Sequence, residues 1–168
     1  PSLVHAPVGR RSNDNYSFQA EILNTDFLPA FFDIPVQINT LSRISGKVDE
    51  RTNKIHFEGF IPNVTYKNKE YQSGYLLCEN PTDSLHTIVS FNAMNKKSAT
   101  SYKVDAFVHN DSLSSKMSWG NNSAETYSGD ILAVTRFLKS EKQNKFKIFS
   151  RIKQSNVIVN DTIWQVHP

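Results

Sequence analysis

The sequence predicts an all-β fold, and three observations carry that prediction. Short runs with strand alternation recur at a spacing of about ten residues, with turn residues between them. The stretch Gly129 to Val159 is at once the most apolar and the most basic part of the chain, and its second half alternates cleanly. Helical periodicity appears in one or two places at most. About eight to ten short strands are expected, closed as an elaborated barrel or stacked as a two-sheet β-sandwich. No internal repeat points to a propeller or solenoid.

The Gly129–Val159 stretch orders the rest. Successive side chains of a strand point to opposite faces. Phe146, Ile148, Ser150 and Ile152 therefore share one face, and Lys145, Lys147, Phe149, Arg151 and Lys153 share the other. One face can enter a core; the other is a cationic row with an aromatic ring inside it. Ile131 to Leu138 is apolar on both faces, as in a covered strand. The same residues could form a helix capped by Asp130, but Val134, Thr135 and Phe137 favour strand. Lys139 to Asn144 is the polar turn between the two arms.

Taken in order, residues Pro1 to Tyr16 read as an arm, rich in proline and carrying Arg10-Arg11. Residues 17–168 read as one domain. Ser17 to Phe32 is ambiguous between helix and strand, and Pro29 should stop any helix near Leu28. Phe27, Phe31 and Phe32 are expected in the core or plugging a barrel end. Val36 to Thr40 alternates. In Leu41 to Val48, Gly46 suggests a bulge or bend. Asp49 to Asn53 is a turn. Ile55 to Ile61 puts Ile55, Phe57, Gly59 and Ile61 on one face and His56, Glu58 and Phe60 on the other, and Pro62-Asn63 should end it.

Tyr66 to Tyr71 reads as a polar loop, Gly74 to Cys78 as a strand ended by Asn80-Pro81, and Thr87 to Ala93 as another strand. Tyr102 to Val108 alternates, with Lys103, Asp105 and Phe107 on its polar side. His109 to Tyr127 is rich in Ser and Asn and reads as a long loop with one short strand and Trp119 near its middle. Thr162 to Val166 closes the series.

Charge is unevenly placed. The formal net charge is +3. From Ile131 onward, seven Lys/Arg against two Asp/Glu give +5, which leaves −2 for the remainder. A local positive field hints at a polyanionic partner. A lysine-rich edge that discourages sheet-to-sheet aggregation would look similar.

Several function classes lack their motifs. The five histidines do not pair at metal-ligand spacing, and Cys78 is the only cysteine, which excludes an internal disulfide or a Cys-based zinc cluster. Cys78 is expected to be a buried small residue in a reducing compartment. There is no phosphate-binding glycine loop, G-x-S-x-G or H-E-x-x-H. Glu58 and Asp105 each sit alone on a polar strand face without the positioned partner that acid–base chemistry needs. The expectation is a protein that is not an enzyme and holds no cofactor. No run of about 18 apolar residues suggests a membrane span, and no signal peptide is visible.

What remains is aromatic and basic interleaving, at Tyr66-Lys67-Asn68-Lys69-Glu70-Tyr71, at Tyr102-Lys103 and at Lys145 to Phe149. Single-strand binders stack bases on exposed rings and track phosphates with Lys and Arg. The candidate nucleic-acid-binding residues are Lys145, Lys147, Phe149, Arg151 and Lys153 on one strand, His56 and Phe60 on another, and Tyr66, Lys67, Lys69 and Tyr71 after it.

Leu41-Ser-Arg-Ile-Ser-Gly-Lys-Val48, Lys54-Ile-His-Phe-Glu-Gly59, and Ser128-Gly-Asp-Ile-Leu-Ala-Val134 with the basic strand after it carry a resemblance. Over about 60 residues the arrangement resembles OB-fold domains of the single-strand-binding and telomere-binding kind. In that family a bent, glycine-bearing first strand and a Gly-Asp turn before the fourth strand shape the barrel. The resemblance implies an OB-like barrel and a single-stranded DNA or RNA ligand, in the nucleus or cytoplasm. The chain departs from it in lacking a clear helix between the third and fourth strands and in having more than five strands.

A second reading is an extracellular or viral β-sandwich that binds a protein or glycan partner, with Trp119 in a recognition loop. Its support is five sequons, at Asn15, Asn63, Asn110, Asn121 and Asn160, expected in the arm and in loops.

Overall fold

The computed structural model describes residues 14–96, 98–121, 127–139 and 146–167. The elements in chain order are β1 (Asn15–Ile22), α1 (Phe27–Phe32), β2 (Val36–Gln37), β3 (Ser42–Asp49), β4 (Lys54–Tyr66), β5 (Lys69–Glu79) and β6 (Leu85–Met94). They continue with β7 (Ala99–His109), β8 (Ser112–Asn121), β9 (Tyr127–Lys139), β10 (Phe146–Ile152), β11 (Ser155–Val159) and β12 (Thr162–Val166). The protein is all-β. Its strands form one antiparallel sheet in the order β1-β3-β4-β5-β6-β7-β8-β9-β11-β12, with β10 paired to β9 and β2 to β4. Among the described residues, β1 pairs only with β3 and β12 only with β11, so the sheet is open rather than closed into a barrel.

The connections are mostly tight hairpins. Lys67 and Asn68, Asn110 and Asp111, and Asn160 and Asp161 all have positive φ. Paired positive-φ residues give the type I′ turn, whose twist matches that of the flanking strands. The expected polar loop at Tyr66 to Tyr71 is thus a two-residue turn, with Tyr66 in β4 and Lys69 and Tyr71 in β5. The expected long loop after His109 is mostly β8, a ten-residue strand. Asn and Asp tolerate the left-handed backbone because their short polar side chains bond locally.

Four further expectations are corrected. The helix α1 runs through Pro29, its third residue, because a first-turn proline forfeits no intrahelical hydrogen bond. Phe27, Phe31 and Phe32 are exposed, Phe31 at 81%, and form no core or plug. Gly46 lies within β3 without a positive φ; it is small because the Phe18 and Phe57 rings close over it from the neighbouring strands. The strand β4 continues through Pro62. Its β3 pairing ends at Phe60, β2 pairing begins at Thr65, and its β5 pairing passes from Ile61↔Gly74 to Asn63↔Gln72 with no partner for Pro62, so the missing N–H falls in a gap of both ladders.

Register sorts the sheet into two faces, since directly opposed residues share one. The apolar face carries two central rows: Ile44, Gly59, Leu76, Val89, Val104, Met117 and Ile131, and beside it Gly46, Phe57, Cys78, Thr87, Ala106, Ser115 and Ala133. The opposite face carries polar contacts between neighbouring strands, including the ion pairs Arg43–Glu21 and Lys116–Asp130 and the hydrogen bonds His56–Glu79 and His86–Asp105. Among the described residues, the main contacts between elements join hydrogen-bonded neighbours, with α1 against β2 besides. Ile38 is the one large apolar residue buried among those described.

Candidate nucleic-acid interface

The cationic strand is β10. It pairs with β9 so that Lys147 faces Leu138, Phe149 faces Arg136 and Arg151 faces Val134. Lys147, Phe149 and Arg151 lie on the polar face and are exposed, and Ile148, Ser150 and Ile152 lie on the apolar face. Phe149 keeps 56% of its surface open. Arg136 sits across from Phe149, diagonally between Lys147 and Arg151, so the register surrounds one open ring with three cations. Among the described residues, Arg136, Lys147, Arg151 and Lys153 have no carboxylate within ion-pair distance.

Arg136 belongs with this group although its strand was expected to be apolar on both faces. The signal was present: with Ile131, Ala133, Thr135 and Phe137 on one face, residue 136 must lie on the other. Lys145 lies outside the described residues. Lys153 is exposed at the bend that separates β10 from β11.

That bend is built by Ser155. Its hydroxyl accepts from the Leu132 N–H at 3.1 Å and donates to the Lys153 carbonyl at 2.9 Å, while the Lys153 N–H donates to the Leu132 carbonyl at 2.7 Å. Ser155 is completely buried. The hydroxyl stands in for a missing ladder partner, so β10 and β11 both run antiparallel to β9 along the same side of it, offset by one residue of register.

The other candidates do not join this corner. His56 and Phe60 lie on the polar face of β4, six strand spacings from β10, which is about 29 Å along the sheet. His56 is bonded to Glu79 at 3.0 Å. Tyr71 is on the apolar face, half-buried, edge-on to Phe91. Lys67 stands over the Tyr66 ring at the hairpin tip, 5.3 Å from its centroid, and Lys69 opposes Tyr66 across the turn.

The polar face between them is occupied by pairs. Asp105 accepts from His86 at 2.9 Å and lies 3.4 Å from Lys103, while Phe107 stacks on His86 at 4.0 Å. Partial burial pushes the Asp105 pKa up, but the hydrogen bonds and charges of His86 and Lys103 outweigh it and hold the carboxyl below its usual value. Glu58 accepts the Tyr75 hydroxyl at 3.1 Å. Burial first, then that bond and the charges of Glu58 and Glu79, push the Tyr75 pKa up. Neither carboxylate sits alone as expected; each is held by neighbours on adjacent strands. No three His, Cys, Asp or Glu among the described residues could hold a metal ion. Cys78 is half-buried beside the Thr87 hydroxyl rather than fully buried.

Comparison with family models, curated proteins and solved structures found no match. The functional reading therefore rests on the residues themselves.

The features of the second reading are also placed. Trp119 lies in β8, with its ring over Gly129 on the apolar face, and so is not in a recognition loop. Gly129-Asp130 lies inside β9 rather than in a turn. Asn110 and Asn160 occupy exposed hairpin turns, whereas Asn63 is within β4, donating to Glu70, and Asn15 and Asn121 are at strand ends. No helix among the described residues is long and apolar enough to cross a membrane.

Proposed function

We propose that the protein is a non-catalytic binding module for single-stranded nucleic acid, with Arg136, Lys147, Phe149, Arg151 and Lys153 as its contact surface. The observation that carries this reading is the exposed Phe149 ring set among cations that have no described carboxylate partner. Elsewhere on the polar face most basic groups are already engaged, which lowers their pull on an incoming anion. Phosphates would meet the cations, and a base would stack on Phe149 for about 1–3 kcal/mol. His56, Phe60 and the Tyr66–Tyr71 hairpin would serve only a strand long enough to cross the sheet.

Four phosphate contacts imply a salt slope of about −2.8 in log affinity, at about 0.7 per contact on a single strand. Affinity should then fall about 50-fold between 50 and 200 mM salt. Fluorescence anisotropy with labelled 15-residue DNA and RNA strands tests this. Binding absent even at low salt sinks the proposal.

The second reading, a β-sandwich that binds protein or glycan, is favoured by the open apolar face and by the exposed sequons Asn110 and Asn160. A secretory host would then add glycan mass at those two asparagines; an unmodified mass from that host counts against it. For the architecture, we favour one layer of a sandwich over an OB-like barrel, because β1 and β12 stand at opposite ends of the strand order.

A further inference from the structure

A sheet with one apolar face must cover it. Here that face is open: Leu76, Val89 and Met117 keep 42%, 37% and 43% of their surface exposed although they lie on central strands. Monomeric soluble proteins rarely leave contiguous apolar patches beyond a few hundred square ångströms. The six strands β4 to β9 are 10 to 13 residues long. At about 4.8 Å between strands and 3.4 Å per residue they present about 29 by 33 Å, or roughly 950 Å². A stable interface needs about 800 Å² per partner.

We infer that this face is covered by the same face of a second copy, giving a homodimeric β-sandwich with both cationic corners on the outside. Three properties of the surface select this occupant. The two central rows carry no charge, so an identical partner meets no repulsion and no charge is buried. The extent matches a second sheet, which packs face to face at about 10 Å. A two-fold contact uses one patch on both copies and closes without further growth.

Other occupants fit less well. The apolar groove among Ile44, Gly59, Ile61, Gly74, Leu76 and Val89 holds about 480 Å³, enough for a small ligand. Exposed apolar residues nevertheless continue to Ile152 and Trp164, beyond the reach of such a ligand. Hydrocarbon would leave the open backbone edges of β1 and β12 without hydrogen-bond partners.

The test is the solution mass of the full chain by sedimentation and light scattering, from about 1 to 100 µM. The inference expects twice 19.1 kDa. Val89→Lys should raise the dimer dissociation constant by about 100-fold or more, since the two-fold axis presents each buried charge twice. Ile88→Lys, one residue away on the polar face and opposite Asp105, should leave the dimer intact. Circular dichroism confirms that each variant remains β-sheet. A wild-type monomer across the range overturns the inference, as does a monomer that retains extracted lipid, or equal effects of the two substitutions. Because Lys147 and Phe149 lie on the other face, nucleic-acid binding that fails while the dimer stands refutes only the proposed function.

Discussion

Ser155→Ala tests the bend that sets the cationic strand against β9. Ser155 has no exposed surface, and its hydroxyl is the acceptor for the Leu132 N–H at 3.1 Å. Alanine keeps the backbone and the volume nearly unchanged but leaves that donor unmet and frees the Lys153 carbonyl. A buried donor left without a partner costs about 1–3 kcal/mol. Leu132 is only half-buried, which places the expected loss near 1.5 kcal/mol. With a urea slope of about 2 kcal/mol per molar, the unfolding midpoint should fall by about 0.7 M. The assay is urea unfolding followed by tryptophan fluorescence, at one protein concentration so that any association is held constant. A midpoint within about 0.1 M of the wild type would show that the hydroxyl contributes nothing and that the strand break has another cause.

Three further outcomes are expected. Gly46→Val would place a Cβ 2.6 Å from the Phe57 ring and against Phe18 as well, so overpacking should cost about 1–3 kcal/mol, read as a lower urea midpoint. Asp105 has a folded pKa below its unfolded value, so its contribution is present above the unfolded carboxylate range and is lost as pH falls through the folded pKa. Unfolding midpoints should therefore decline between about pH 5 and pH 2, and Asp105→Asn should flatten part of that decline; an unchanged pH profile would contradict the pairing. Arg136→Ala should reduce the salt slope of oligonucleotide binding by about 0.7, and an unaltered slope would remove Arg136 from the contact surface.

The sequence made the faces legible wherever apolar and polar residues alternate. Lys147, Phe149 and Arg151 on one side of β10, and Phe57 against His56 on β4, follow from period two alone. The turns were harder. Asn110-Asp111 and Asn160-Asp161 lack the glycine that usually marks a type I′ hairpin, and Lys67-Asn68 looks like part of a polar loop. Once the first of these turns is missed, the Ser-rich β8 has no strand boundary: Ser112, Ser114 and Ser118 lie on its polar face and give no apolar signal. Pro29 and Pro62 look like terminators in sequence because a one-dimensional pattern does not tell a first-turn or ladder-gap proline from an interior one. Arg136 was hidden by the apolar residues around it, although period two places it opposite them.

The candidate site was half legible for a related reason. Composition marks aromatic and basic residues but not their distance across a sheet. The β10 row and the His56–Phe60 row are both present, yet five strands separate them. Tyr71, which looks like a stacking ring in sequence, turns to the apolar face against Phe91.

The most direct test of the account is oligonucleotide anisotropy at two salt concentrations, comparing wild type with Phe149→Ala and Lys147→Ala. A stacking ring among phosphate-binding cations predicts salt-sensitive binding that weakens about tenfold or more without the ring and loses about 0.7 of slope without the lysine. Binding that ignores Phe149 would reduce the site to a cationic edge. No binding at low salt would contradict the account outright.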